Sequence, residues 1–370
     1  MIEQPWYAIT DIDKLDTPVL VIYPYRVKQN IETLKGMIDD VSRLRPHAKT
    51  NKSKEASLLM LEAGITKFKC ATIAEAEMLG MCKALDVLLA YQPIGPKLER
   101  FVKLIKAYPD TIYSCLIDNI AAANGISTKA LEKDIQIPVY IDLNIGQNRT
   151  GIKPEDALKL YWECDKLPGI QIAGLHAYDG HIHDADMATR IKKCNEAFEP
   201  VLKLQHDIKQ RGYPEPVIIA GGSPTFPIYA KRAAIECSPG TFIYWDKGYS
   251  LICPEQKFLP AAIVVSRVIS LPGERKVCLD VGHKSVSAEN DISKRIYFIN
   301  GSDLVPVSQS EEHLVCEAEK GHGYKVGDVL YGMPYHVCPT VALYERAITI
   351  ENKQISGEWK NIARDRKINI

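Results

Sequence analysis

Short runs of β-branched and aliphatic residues alternate with helical patterns between about residues 40 and 240. Segments 53–61 and 98–108 carry apolar residues at the three- and four-residue spacing of an amphipathic helix. Segment 72–75 (Thr-Ile-Ala-Glu) has the spacing of a capping box, which predicts the start of another helix. The eight runs that predict strands are Leu44–His47, Lys67–Ala71, Val87–Tyr91, Ile112–Ile117, Val139–Leu143, Ile172–Ala177, Val217–Ala220 and Ala234–Cys237.

Eight predicted strands that alternate with helices favour a closed parallel (β/α)8 barrel. The competing architecture is an open, doubly wound parallel sheet. The chain lacks the Gly-x-Gly-x-x-Gly turn that often accompanies such a sheet, and this absence favours the barrel.

After about residue 245 the helical periodicity fades, and strand-like runs separated by glycine and proline turns predict a small antiparallel β domain. The predicted strands of this domain are Ala261–Ile269, Lys276–Leu279, Arg295–Ile299, His313–Cys316, Val329–Tyr331 and Arg346–Ile350. The strand-like run at 17–23 is compatible with either unit. We therefore expect a barrel at residues 17–244 and a β domain formed by residues 1–16 and 245–370.

The 46 basic residues balance the 46 acidic residues, so no excess of positive charge predicts binding to nucleic acid or to an anionic membrane. No apolar run approaches the length of a membrane span, and the first residues lack the basic and apolar regions of a signal peptide. The ten cysteines form no Cys-x-x-Cys pair, which indicates reduced thiols rather than a disulfide framework. We expect a cytoplasmic protein.

Lys49 lies in segment 45–50 (Arg-Pro-His-Ala-Lys-Thr), directly after the first predicted barrel strand. The active sites of such barrels are built at the carboxyl ends of the strands. A lysine at this place can form a Schiff base if its pKa is lowered, and we expect the charge of Arg45 to disfavour the charged amine. The alternative is a solvated lysine at a strand end, because Lys52 and Lys54 follow closely.

Two further loops follow predicted strands and carry groups that can bind anions. Gly221, Gly222 and Ser223 follow the seventh strand, where bare N–H groups and a hydroxyl can hold a phosphate, although this sequence also makes a plain turn. Arg149 follows the fifth strand, between glycines. Its guanidinium could bond a cofactor ring or a substrate carboxylate; the alternative is an ordinary surface arginine.

His176 and Tyr178 end the sixth predicted strand and alternate onto one face of it. Either ring could stack on a planar cofactor. The alternative for His176 is a buried histidine whose hydrogen bonds are satisfied within the core.

His336 and Cys338 are predicted to lie on the same side of a strand. Imidazole and thiolate are both good zinc ligands, and two protein ligands leave positions open for water and substrate, as a catalytic metal requires. The alternative is chance, because a chain with ten cysteines and nine histidines can contain such a pair without function.

Together, four motifs resemble the D-threonine aldolase/D-serine dehydratase family of fold-type III pyridoxal 5'-phosphate enzymes. They are segments 45–50 (Arg-Pro-His-Ala-Lys-Thr), 174–181 (Gly-Leu-His-Ala-Tyr-Asp-Gly-His), 221–225 (Gly-Gly-Ser-Pro-Thr) and 334–341 (Pro-Tyr-His-Val-Cys-Pro-Thr-Val). The motifs follow the order of the family, and the resemblance covers nearly the whole chain. It implies a barrel with a C-terminal β domain that acts, as a homodimer, on a small D-amino acid.

The resemblance also implies roles for the residues singled out above. Lys49 would carry the cofactor as a Schiff base, while Arg149, His176 and Tyr178 would contact it and the Gly221–Ser223 loop would bind its phosphate. His336 and Cys338 would hold a divalent metal, zinc or manganese, with His336 also counted as catalytic. In the family, aspartate at the position of Cys338 is typical of manganese- or magnesium-dependent aldolases and cysteine of zinc-dependent dehydratases. The softer thiolate favours zinc.

The resemblance leaves two reactions open. Retro-aldol cleavage of a β-hydroxy D-amino acid gives glycine and an aldehyde, whereas dehydration gives a keto acid and ammonia. Overall resemblance favours the D-threonine aldolase type, against the indication from Cys338. An amino-acid racemase would need a second base on the opposite face of the cofactor. A non-catalytic pyridoxal phosphate-binding protein would normally lack the β domain, and a structural protein without a cofactor is the last alternative.

Overall fold

The computed structural model describes residues 5–370, and the chain divides into two compact units. The first contains Leu34–Lys49, Ser57–Gly240 and Asp365–Ile370, and the second contains residues 5–33, Thr50–Ala56 and Thr241–Arg364. The β-domain assignment of residues 1–4 lies outside the described residues. We call these the barrel unit and the β unit.

The strands, in chain order, are β1 (Val19–Ile22), β2 (Lys67–Cys70), β3 (Asp86–Leu89), β4 (Ile112–Ile117), β5 (Ile137–Leu143), β6 (Ile170–Ala177), β7 (Val217–Ala220), β8 (Ile235–Cys237), β9 (Ala262–Gly273), β10 (Lys276–Leu279), β11 (Ile296–Phe298), β12 (Val305–Gln309), β13 (Leu314–Glu317), β14 (Val329–Pro334), β15 (Arg346–Glu351) and β16 (Gln354–Lys360). The helices are α1 (Pro24–Gly36), α2 (Lys54–Glu62), α3 (Ile73–Met81), α4 (Pro96–Ala107), α5 (Ile120–Glu132), α6 (Pro154–Cys164), α7 (Met187–Gln210), α8 (Phe226–Tyr229), α9 (Lys247–Ile252) and α10 (Val337–Leu343).

The barrel unit contains a parallel sheet in the order β2-β3-β4-β5-β6-β7-β8. Segment 44–47 occupies the remaining position, because Leu44 bridges Cys237 of β8 and His47 bridges Lys69 of β2, both in parallel. This segment is too irregular to count as a strand, since Pro46 has no N–H to donate to a ladder. The predicted barrel is therefore confirmed, with seven regular strands and one short closing segment.

The β unit contains a second sheet in the order β12-β13-β10-β9-β1-β15-β16, with β14 paired to β9 and β11. Its pairs are antiparallel as predicted, except that β1 and β15 run parallel. Strands β12 and β16 were not predicted, because they are largely exposed and lack a regular apolar face.

The run at 17–23 belongs to the sheet of the β unit, so the structure differs from a barrel that starts at residue 17. Strand β1 pairs with β9 on one side and with β15 on the other. Its apolar side chains are buried there with Ile263 and Val265 of β9. Partners from late in the chain, which the local pattern cannot reveal, decide the placement of this strand.

Two further findings concern the chain as a whole. None of the ten cysteines forms a disulfide, and nine of them are buried. Within residues 5–370, no helix combines the length and the apolar character that crossing a membrane demands.

Candidate active site

The barrel unit contains a cavity of about 1000 Å³. Its lining comes from the carboxyl ends of several strands and from the loops that follow them, which is where barrel enzymes place their chemistry. The polar residues of the lining are His47, Lys49, Thr72, Tyr91, Gln92, Lys69, Lys97, Asp118, Asn119, Asp142, Arg149, Thr150, His176, Tyr178 and Arg366.

Four side chains selected from separate segments of the sequence line this one cavity, namely Lys49, Arg149, His176 and Tyr178. Lys49 is half-buried, and its backbone N–H donates to Nδ1 of His47 over 3.2 Å. Barrel closure brings these residues together, because each follows or ends a strand at the same rim.

The expectation that the charge of Arg45 disfavours a charged Lys49 amine is wrong, because two carboxylates neutralise the charge of Arg45. Its guanidinium donates to Asp86 over 2.6 and 2.7 Å and to Glu236 over 2.7 Å, and the side chain is 1% exposed. Burial alone would lower the pKa of Arg45, but these carboxylates raise it above its usual value.

Lys69 on β2 is a cavity residue that sequence reasoning missed. Its side chain is buried, and its Nζ lies 3.5 Å from Nε2 of His176 and 5.1 Å from the ring centroid of Tyr178. Burial, and next the charge of Lys49, lower the pKa of Lys69 to about 7. A lysine in a short strand suggests a solvent-facing position, and only its place at the carboxyl end of that strand could have hinted otherwise.

His176 is held by a buried carboxylate on the neighbouring strand. Its Nδ1 lies 2.7 Å from Oδ1 of Asp142. The other carboxylate oxygen, Oδ2, accepts from Thr150 over 2.8 Å and from Gln92 over 3.1 Å. Burial alone would raise the pKa of Asp142, but the hydrogen bond from His176 and those from Thr150 and Gln92 hold it below its usual value. Burial lowers the pKa of His176. Sequence reasoning missed Asp142.

Tyr178 lies between the cavity and the glycine loop. Its ring is nearly parallel to that of His176, with an angle of 16° and a centroid separation of 6.5 Å, and Cζ of Arg149 lies 5.3 Å from the Tyr178 centroid. A Cβ added to Gly222 would lie 3.2 Å from Cε2 of Tyr178. The glycine loop therefore packs against a ring that lines the cavity.

The loops after β7 and β8 contact each other through hydrogen bonds. Gly240 N–H donates to Oγ of Ser223 over 3.3 Å, and Gly222 N–H donates to Oγ1 of Thr225 over 3.1 Å. Gly221 has a φ of +76°, and an added Cβ there would lie 2.9 Å from Tyr229, so this turn requires glycine.

The chemistry of these two loops fits a phosphate group. The buried hydroxyl of Ser238, directly after β8, has no hydrogen-bond partner among residues 5–370. A buried hydroxyl without a partner is costly, and a phosphate oxygen would satisfy it. Barrels of this kind often hold phosphate at the loops after their seventh and eighth strands.

In the β unit, His336 and Cys338 do not lie on a strand as predicted. His336 is the residue that precedes α10, and Cys338 lies in its first turn. The side chains still contact each other: burial would lower the pKa of His336, but hydrogen bonds and charge from Cys338 and Glu289 raise it to about 9. Sγ of Cys338 lies 3.1 Å from Oγ1 of Thr50, and Nδ1 of His336 hydrogen bonds Glu289.

Imidazole and thiolate side by side suit a soft divalent metal. In the part of the chain that the structure describes, however, no group of three or more histidine, cysteine or acidic residues could hold a metal ion. A metal at this place would therefore depend on ligands other than these side chains, such as water or substrate, and its presence stays a hypothesis.

A parallel barrel with lysines in its cavity and a glycine-rich loop whose chemistry fits phosphate is typical of the barrels that bind pyridoxal phosphate. The family model described as "Alanine racemase, N-terminal domain" matches residues 22–247, and the "Putative serine dehydratase domain" model matches residues 261–350. The chain belongs to the alanine racemase N-terminal domain family, and the resemblance inferred from its motifs is confirmed.

Individual relatives agree with this assignment. The chain is 27% identical to a D-threonine aldolase of Arthrobacter sp. over 95% of its own length and 93% of that protein. It is 25% identical to a D-threo-3-hydroxyaspartate dehydratase of Delftia sp. over 63% of its length and 62% of that protein. The crystal structure of a D-threonine aldolase from Filomicrobium marinum shares the fold, with a TM-score of 0.87 at 23% identity, covering 95% and 96% of the two chains. The chain is a pyridoxal phosphate-dependent enzyme of the aldolase and dehydratase type.

Proposed function

We propose that this protein is a pyridoxal phosphate- and divalent-metal-dependent lyase that cleaves β-hydroxy D-amino acids to glycine and an aldehyde, as a D-threonine aldolase does. The observation that carries the proposal is the convergence of Lys49, Arg149, His176 and Tyr178 on one cavity of the barrel unit. The similarity to a D-threonine aldolase over 95% of the chain supports the substrate class.

Five elements of the site would hold the cofactor. Lys49 would bind its carbonyl carbon, Arg149 its ring hydroxyl, and the Gly221–Ser223 loop its phosphate, while His176 and Tyr178 would lie against its ring. When bound, pyridoxal phosphate supplies an electron sink for a carbanion at the α-carbon of an amino acid. Asp142 fixes the orientation of His176 by accepting from Nδ1, so that the imidazole is in place before a ligand enters.

Lys49 is also the residue that we expect to move a proton. Its amine lines the cavity, and as a free amine it would hold or move a proton at Nζ. Arg149, positioned by the face of Tyr178, can bind an anionic group through the paired N–H donors of its guanidinium.

His336 and Cys338 would hold the metal. A bound divalent metal supplies a Lewis acid for a hydroxyl oxygen. The thiolate of Cys338 favours zinc over manganese, because manganese prefers oxygen ligands.

D-serine dehydratase-type deamination is the second candidate. It is favoured by the match of residues 261–350 to the putative serine dehydratase domain and by the thiol of Cys338. In that reaction the chain would remove an α-proton and release the β-hydroxyl group, giving a keto acid and ammonia.

The test is product analysis with D-threonine and with D-serine, in the presence of pyridoxal phosphate and either zinc or manganese. Glycine and acetaldehyde from D-threonine would support the aldolase, whereas keto acid and ammonia would support the dehydratase. The Lys49→Ala variant, incubated in parallel, controls for reactions of the free cofactor. Interconversion of the D and L isomers without either product set would overturn both proposals in favour of a racemase.

We also propose that the enzyme is a homodimer in the cytoplasm, as the resemblance implies. Light scattering of the purified holoenzyme tests the dimer: a mass near twice the 41.4 kDa of the chain is expected.

A further inference from the structure

We propose that Lys69 is a positioning residue of this site. Its amine donates to Nε2 of His176 and, with Asp142 on the other ring nitrogen, holds the imidazole neutral with its hydrogen on Nδ1. The inference rests on the proposed function only for its effect on turnover, because the state of the imidazole can be measured without cofactor or substrate.

The geometry of Lys69 gives the first argument. Strands β2 and β6 are not neighbours in the sheet, so the lysine reaches across the inside of the barrel to His176. Among the described residues, the hydrogen bond of the Lys69 amine is the 3.5 Å contact between its Nζ and Nε2 of His176. The amine forms no salt bridge with a described residue. Both residues are buried. Because a buried amine without any partner is costly, the hydrogen bond to His176 stabilises the buried position of Lys69.

Counting hydrogens on the imidazole gives the second argument. The carboxylate of Asp142 can only accept, so Nδ1 of His176 must carry a hydrogen. In the neutral ring Nε2 is then an acceptor, which matches the N–H groups of Lys69 in either charge state of the amine. If Nε2 also carried a hydrogen, that hydrogen would face the N–H groups of Lys69. The imidazole would then be positively charged beside the lysine.

Neighbouring charges on other elements act in both directions. Asp142 favours a charged imidazole, while Lys69 and Arg149 oppose it, and burial opposes it most. Lys69 itself faces the positive charges of Lys49 and Arg149 and the negative charges of Asp142 and Asp179. Removing Lys69 deletes one of the two opposing cations and leaves Asp142 in contact with the ring.

This arrangement gives His176 and Lys49 different roles in the reaction. Both ring nitrogens of His176 are engaged within the protein, so His176 cannot exchange a proton with a substrate. It supplies a neutral, fixed ring, and proton transfer at the α-carbon is left to Lys49.

The direct test is the nitrogen-15 NMR spectrum of the His176 ring in the metal-free apoprotein, assigned by comparison with His176→Gln. We expect a protonated Nδ1 and an unprotonated Nε2 in the wild-type protein at neutral pH. A charged ring, or a ring with its hydrogen on Nε2 alone, would overturn the proposal even if no Lys69 variant folds.

Variants of Lys69 test its part. In Lys69→Met the imidazole should titrate about one pH unit higher than in the wild type, because one opposing cation is lost. Lys69→Gln keeps an N–H donor without charge and should retain the Nδ1–H form. Lys97→Met is the matched control, since this lysine lines the same cavity but is exposed and lies 4.0 Å from the ring of Tyr91. A titration in Lys69→Met that coincides with the wild type would reject the role.

The holoenzyme gives a second readout. In Lys69→Met the acid limb of kcat/KM should move to higher pH by about the same amount as the imidazole titration, whereas Lys97→Met should leave it in place. If the product assay finds neither lyase reaction, the NMR result still stands, so failure of the proposed function and failure of this inference are distinguishable.

Discussion

Oδ1 of Asp142 accepts from Nδ1 of His176 over 2.7 Å, and the two residues are register partners on the adjacent parallel strands β5 and β6. Strand pairing thus places the carboxylate beside the ring. Thr150 and Gln92 donate to the other oxygen of the same carboxylate, so the orientation of His176 depends on a preformed network.

Asp142→Asn should destabilise the protein by about 1–3 kcal/mol at pH 7, because an amide nitrogen would face hydrogen-bond donors. The pKa of Asp142 is lowered in the folded protein, so its stabilisation is present above the ordinary carboxyl pKa and is lost as the pH falls through the lowered value. Urea unfolding of both proteins from about pH 7 to pH 3 should therefore show a difference in the free energy of unfolding that becomes smaller below about pH 4. The exposed Asp110→Asn serves as control, and a gap that widens in acid would contradict the expectation.

Lys49→Ala should abolish the long-wavelength absorbance of lysine-bound pyridoxal phosphate. In the wild type, borohydride reduction followed by peptide mapping should place the label on Lys49. Lys97→Ala, a substitution in the same cavity, should keep both signals. Lys69 also lines the cavity, and burial lowers its pKa to about 7. A label on Lys69 in the wild type would refute the role of Lys49.

Asp179→Asn should change how stability depends on pH. Burial raises the pKa of Asp179 to about 6, so the stabilisation associated with its protonated form is complete below the ordinary carboxyl pKa and is lost as the pH rises through about 6. The free energy of unfolding that is lost when Asp179 ionises amounts to about 3 kcal/mol. Unfolding midpoints measured from about pH 4 to pH 7 should decline less in Asp179→Asn than in the wild type. Equal declines in the two proteins would show that Asp179 does not titrate in this range.

Glu77→Ala should release the C-terminal segment of the barrel unit. The buried carboxylate of Glu77 accepts from the backbone N–H groups of Asn369 and Ile370 at 3.1–3.2 Å and from Nδ2 of Asn369 at 2.9 Å. Losing these bonds should cost about 1–3 kcal/mol and speed digestion by carboxypeptidase. Arg366, which lines the cavity, belongs to this segment. The exposed Glu99→Ala is the control, and unchanged digestion would show that Glu77 does not hold the segment.

His336→Ala and Cys338→Ala should each reduce the zinc that the purified protein retains, if the proposed metal site exists. Metal analysis after dialysis measures this, and chelator should remove activity that zinc restores in the wild type but not in either variant. Cys338→Asp should shift the preference towards manganese, because carboxylate is a harder ligand. His313→Ala, an exposed histidine of the same unit, is the control. Equal zinc content in all these proteins would remove the metal hypothesis.

The sequence by itself determined the alternation of strands and helices, the change of architecture near residue 245 and the local motifs around Lys49, Arg149, His176 and Gly221. These features depend on patterns between residues that are close in the sequence. The patterns are β-branched runs, the helical period, and glycines where a turn needs a positive φ. Strands such as Ile112–Ile117 and Val217–Ala220 were predicted with their observed bounds.

Only the tertiary structure decided which residues meet. The bond between Lys69 and His176 spans 107 positions. The pairing of β1 with β9 and β15 places an early strand beside two late ones, and the start of α10 at Val337 replaces the predicted strand. A local pattern records the period of one segment but not its partner. Barrel closure turned Lys69 inwards and made Asp142 the neighbour of His176, because a closed sheet fixes which side chains face each other across its interior.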